Sequence, residues 1–179
     1  MTETQTQRTR YGAVAMVLHW SVAALMIFMI FFGEDLMRAN GLFQPSLHVS
    51  IGTSILVLSV LRLVWRLMNP PPALPATMAP WEIMVTKVTH STFYILMIGL
   101  PITGWLAFTE QLARHPAMAG VSVFGLFAVP PAPGLGQLPG LLHSFGSNVG
   151  MALVILHVLA ALKHQFVNRD GLMRRMLPL

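Results

Sequence analysis

Four histidines of this 179-residue chain, His19, His48, His143 and His157, sit inside long apolar stretches. A histidine surrounded by hydrocarbon is costly and reads as functional, with a partner to be found. His143 and His157 are 14 residues apart. On an α-helix that is about four turns, so both rings leave one face at levels ~21 Å apart. Across a hydrocarbon core of about 30 Å, one of them lies near each surface. His19, near the start of the first stretch, matches the depth of His157; His48, opening the second stretch, matches His143. Two bis-histidine pairs at two depths follow, His19 with His157 and His48 with His143. Neutral imidazole on both axial faces suits low-spin, b-type electron-transfer heme and leaves no position open for oxygen. Two competing readings are polar side chains hydrogen-bonding between helices and a zinc or copper path. The second lacks nearby Asp, Glu and Cys ligands.

The elements that must position these rings are four apolar stretches long enough to span a bilayer, at about 14–32, 47–67, 83–108 and 141–167. The chain is 55% hydrophobic and 9% charged, against about 25% charged in a soluble domain. The expected fold is all-α: one integral-membrane four-helix bundle over residues 1–179, with two hemes in its core. Arg8 and Arg10 ahead of the first stretch could mimic a signal peptide. The run is too long for one, and Gly33-Glu34-Asp35 offers no cleavage site, so a retained helix is expected. Arg8, Arg10, Arg62, Arg66, Lys87, Lys163, Arg169, Arg174 and Arg175 fall on one side of the bundle, leaving Arg38 and Arg114 on the other. The positive-inside rule then places both termini in the cytoplasm. The formal charge of +5 is thus a topology signal, and no nucleic-acid partner is expected. With no cysteine, disulfides, thiolate-ligated heme and covalent c-type attachment are excluded.

Residues 69–80 form a proline-rich connector. The apolar segment 117–129, too short to span, is expected to cap the bundle or lie at the interface. His143, Gly150, His157 and His164 recur every seven residues, with Gly146 between the first two. Such positions drift only ~20° per step and form one stripe. Glycine there admits either a flat porphyrin or a neighbouring helix, and Gly52 makes the same provision after His48. Lys87, His90 and Tyr94 share a face near the cytoplasmic surface, where heme propionates or a quinone head group would satisfy them. His164, at the cytoplasmic mouth, is a second quinone candidate. His115 beside Pro116 reads as a solvated loop residue.

With these residues in place, the chain resembles the bacterial cytochrome b561 family. The resemblance rests on RYGAVAMVLHW, LHVSIGTSILVLSVLRLVWRL, THSTFYILMIGLPITGW, VSVFGLFAVP, LLHSFG and HVLAALKHQFVNRDGLMRRMLP. It implies a multi-pass protein of the bacterial inner membrane that binds two hemes b. Electrons would pass between an exoplasmic donor and ubiquinone near the cytoplasmic heme. The ligand positions implied are His19, His48, His143 and His157, and the quinone neighbourhood is His90 and His164, with Lys87 on the same face. A branch of such proteins oxidises superoxide and reduces ubiquinone, which makes Arg38 and Arg114 candidates for attracting the anion. Against them stand Glu34, Asp35 and Glu110 on the same side. The leading expectation is therefore a superoxide:ubiquinone type of oxidoreductase. The alternatives are a membrane anchor and electron relay for a separate redox protein, and a helical bundle without redox function.

Overall fold

The computed structural model describes residues 10–38 and 43–177. Arg8, one of the basic residues used for topology, lies outside them. Four long helices dominate: α1 (Ala13–Arg38), α2 (Phe43–Met68), α3 (Pro80–Arg114) and α4 (Leu138–Lys163). All four are long and apolar enough to cross a membrane, as expected for an all-α bundle. The first three outrun the apolar stretches that announce them, and α4 starts before its stretch but ends at Lys163. Once nucleated, a helix gains one hydrogen bond per residue added, and Glu, Arg and Leu are good helix formers. So α1 continues through Glu34 and Asp35 to Arg38. Pro80 starts α3, where a missing N–H costs nothing, and the Glu82 carboxylate accepts the Ala79 N–H at 3.1 Å.

The chain packs α1 on α2, α2 on α3 and α3 on α4. The core is thin, centred on Val22, Ile55 and Met97 with Leu25, Leu58 and Phe93 against it. Phe31, Val57, Leu61, Ile95 and Leu156 lie exposed on the outside. In water that distribution would make one continuous sticky surface; against lipid it costs nothing.

At one end the first and last described residues meet. Tyr11 N–H donates to Arg175 O at 3.2 Å, the Arg10 guanidinium to Leu177 O at 2.7 Å and Trp20 Nε1 to Met176 O at 2.8 Å. Arg175 also reaches Ala73 O in the proline-rich connector, at 2.6 Å. The tail is thus a plate across this termini end.

At the opposite, distal end, a 3-10 turn (Pro116–Gly120) leads into a short hairpin of β1 (Ser122–Val123) and β2 (Phe127–Ala128). Ser122 N–H donates to Ser46 Oγ at 3.1 Å, and Phe124 N–H to Ser50 Oγ at 2.8 Å. Ser50 is one turn, ~6 Å, further along α2 than Ser46, so the hairpin descends alongside the helix. Its return arm is fastened to α3: Trp105 Nε1 donates to Pro130 O at 2.9 Å, and Thr109 Oγ1 both donates to and accepts from the Ala132 backbone. The tip turns through positive φ at Phe124 (55°) and Gly125 (70°), as a tight primed turn requires. Phe124, Leu126 and Phe127 around it are exposed. Residues 116–142 contain no charged side chain. A tip aimed down the bundle, in a segment without charged side chains, is expected to lie among acyl chains. A nitroxide on Leu126→Cys, in an otherwise cysteine-free chain, should in proteoliposomes collide far more with oxygen than with a water-soluble nickel chelate. One on Ala119→Cys should show the reverse order. Equal nickel access at both positions would put the tip in water.

Candidate functional site

His48 and His143 are each the sixth residue of their helices, and both helices start at the distal end. Their ring centres are 6.2 Å apart, at 53°. Near the termini end the centres of His19 and His157 are 6.4 Å apart, at 72°. Metal–imidazole bonds of about 2.0 Å, with about 1.1 Å from nitrogen to ring centre, put two axial imidazoles on one metal roughly 6 Å apart. Both pairs therefore have the spacing of rings facing one metal atom.

Hydrogen bonds settle which nitrogen would face it at the distal pair. Nδ1–H of His48 donates to Gly33 O at 2.9 Å, and Nδ1–H of His143 to Leu100 O at 2.8 Å. A carbonyl can only accept, so Nδ1 carries the proton and Nε2 keeps its lone pair. This is the outer-shell bond that orients a ligating histidine. All four helices contribute, because the acceptors belong to α1 and α3 while the rings belong to α2 and α4. Gly104 on α3 completes the arrangement: a Cβ there would lie 3.0 Å from Cε1 and 3.1 Å from Nδ1 of His143. Only glycine leaves the ring that room.

The termini-end pair has a third histidine beside it. His90 stands 5.6 Å from His157, perpendicular to it, with its Nδ1–H donating to Thr86 O at 2.7 Å. Phe93 flanks His157 at 5.4 Å. Among the described residues, no group of three or more His, Cys, Asp or Glu could hold a bare metal ion. Two imidazoles per site suit a metal that arrives with its own equatorial ligands, which is how heme iron is held.

Residues 10–179 match the family described as prokaryotic cytochrome b561. This chain belongs to that family. It is 30% identical over 177 residues to cytochrome b561 homolog 2 of Escherichia coli K12, covering 94% of this chain and 91% of that protein. The probable superoxide oxidase CybB of Yersinia pestis is 28% identical over 182 residues, covering 94% and 96%. Cytochrome b562 of Cereibacter sphaeroides is 27% identical over 181 residues, covering 96% and 98%. As a cytochrome b561 the chain is a multi-pass protein of the bacterial inner membrane, with heme b as its cofactor and electron transfer as its chemistry.

Other residues singled out from the sequence fall differently in this b561 bundle. Lys87 does not share an inward face with His90: it is exposed, while His90 turns in towards His157. Three residues fall ~60° short of a full turn, and a long lysine at a helix edge carries its ammonium outward. His164 is buried, but α4 changes there into a π turn (His164–Asn168), and the ring Nδ1 sits 2.6 Å from Asp170 Oδ2. Burial works against ionisation of Asp170, yet the Leu172 N–H together with His164 holds its carboxyl below the ordinary range. Lys163 bridges to Glu82 at 2.8 Å, tying α4 to the start of α3. Arg38 is neutralised by Glu34 one turn back, and Arg114 is exposed at the end of α3. Gly146 and Gly150 face Leu96 and Leu100 of α3, so they serve helix packing rather than a flat ligand. Gly52 opens on free space. Gly33, Leu100 and Gly104 went unnoticed in sequence. The GLPITG segment, with Pro101 inside a helix, was the nearest signal for the last two.

Gly104→Ala should displace the His143 ring at a cost of about 1–3 kcal/mol, typical of overpacking. In absorbance spectra the purified variant should hold less heme. Gly99→Ala, with nothing within 4 Å of its Cβ position, should match the parent; equal heme in both would show the ring has slack.

Proposed function

We propose that this cytochrome holds two hemes b, one between His19 and His157 and one between His48 and His143, and carries electrons across the bilayer. The donor is exoplasmic, superoxide being the leading form, and the acceptor is ubiquinone near the cytoplasmic heme. Both termini face the cytoplasm, where the basic residues cluster. The observation that carries the reading is the pair of imidazole couples, 6.2 and 6.4 Å between ring centres, two levels apart on one helix. Heme supplies a one-electron centre at each level, so a two-electron acceptor can be served in single steps. The protein's part is orientation and exclusion. Gly33 and Leu100 fix the distal rings, and α1–α4 keep water from both levels. His90 stands beside the inner pair with its Nε2 lone pair free, placed to accept a hydrogen bond from a quinol hydroxyl, while His164 and Lys87 lie at the rim. The superoxide assignment is supported by the name of the Yersinia relative and by Arg114; the Arg38–Glu34 pair weakens the local attraction.

His157→Ala should remove the cytoplasmic heme and His143→Ala the exoplasmic one, each leaving about half the heme in a pyridine hemochromogen assay. Identical spectral losses in the two variants would sink the two-level assignment.

Stopped-flow reduction of the oxidised protein by superoxide tests the donor. The rate should fall with added salt as the Debye length shrinks from ~10 Å at 0.1 M to ~3 Å at 1 M, and Arg38→Gln with Arg114→Gln should flatten that dependence. A heme-replete protein that superoxide cannot reduce would instead be a relay for a separate redox partner.

A further inference from the structure

Arg62 is an intramembrane cation with no anion beside it among the described residues. It lies within α2 against Tyr94, which is one turn beyond His90 on α3, the histidine 5.6 Å from His157. Its guanidinium cannot shed its proton, and a charge at membrane depth needs a partner. Among the described residues, the ion pairs are Arg38–Glu34, Lys163–Glu82 and His164–Asp170, and none involves Arg62. Its neighbour is Tyr94, whose ring centre lies 5.6 Å from the guanidinium carbon. The Tyr94 hydroxyl is buried and has no hydrogen-bond partner. Arg62, Tyr94, Arg66, Tyr11 and Asn69 line one small cavity.

The chemistry of that lining selects its occupant. The guanidinium can only donate, and the idle phenol has a proton to give. What satisfies both is an anion with two acceptor atoms, which takes a fork of bonds from arginine and one more from the phenol. A carboxylate fits. It must also reach this cavity from the neighbouring histidines, on the side nearer the membrane surface, because α2 ends six residues after Arg62. Resting on the di-heme reading above, we propose that Arg62 and Tyr94 form the binding site for a propionate carboxylate of the heme between His19 and His157. Arg66, one turn on, is the second cation of the site. Arg62 is then a positioning residue with an electrostatic effect. Oxidation adds positive charge to the iron, so a fixed cation nearby favours the reduced state.

The test uses the full-length protein in detergent or nanodiscs, with the His48–His143 heme as internal reference. In Arg62→Gln the midpoint potential of the His19–His157 heme should fall while that of the reference heme stays. The propionate bending band of its resonance Raman spectrum should move to lower frequency as a hydrogen bond is lost. Arg62→Lys should restore most of the potential but not the band, because a point charge replaces the fork. Tyr94→Phe should shift the band with a smaller change in potential. Heme-replete Arg62→Gln with potential and band unchanged overturns the proposal. Should Arg62→Gln lose the heme altogether, Tyr94→Phe decides, and an unmoved band in that variant is equally fatal. Unmoved bands in both, with a raised KM for a soluble quinone, would give the cavity to quinone instead. Parent protein lacking heme at this pair would overturn the di-heme reading itself, a result visible before any variant is made.

Discussion

A bilayer interior has no water to offer a polar atom, and each polar residue inside this bundle meets that constraint in its own way. His48 and His143 give their Nδ1 protons to carbonyls of neighbouring helices. Thr53, Thr92 and Ser54 bond back to the carbonyl one turn earlier on their own helix. What remains among the described residues is the Nε2 atoms of the histidines, the Arg62 charge, the Tyr94 hydroxyl and the buried Ser59 hydroxyl on α2. Ser59 apart, these unsatisfied groups lie at or beside the two levels where the histidines pair.

Little of the protein is buried in the ordinary sense. Val22, Ile55 and Met97 are nearly the whole apolar core of the bundle, too little to hold a water-soluble domain of this size together. Lipid on the outside and close helix packing on the inside take its place. Gly146 and Gly150 let α3 and α4 approach through Leu96 and Leu100, the small-residue device of membrane helices. The tail and the hairpin fasten the two ends by hydrogen bonds.

Reading depth from sequence worked where a count of residues along one helix was enough. The 14-residue interval between His143 and His157, and the positions of His19 and His48 near the starts of their stretches, set side by side the rings whose centres lie 6.2 and 6.4 Å apart. Rotation about a helix and the identity of neighbours were harder to read. Gly33 and Leu100 act through backbone carbonyls, which side-chain identity does not announce. Lys87 was grouped with His90 although a helix sets them ~60° apart. His164 continues a seven-residue stripe in sequence, but five residues of π turn break the stripe there and give the ring to Asp170. The Arg38–Glu34 pair was legible as an i,i+4 spacing, and it sets one of the two distal arginines beside a carboxylate.

Each histidine pair takes one member from α4, and the plate over the termini end is made from residues 175–177. Synthesis proceeds from the N-terminus at about 5–20 residues per second, so a chain with three helices in the membrane already displays His19, His48 and His90 but completes no pair. On the di-heme reading proposed above, cofactor capture thereby waits until α4 has entered the membrane. A chain truncated before α4 would sit in the bilayer as a set of lone imidazoles, unable to trap iron porphyrin in a half-built and reactive state.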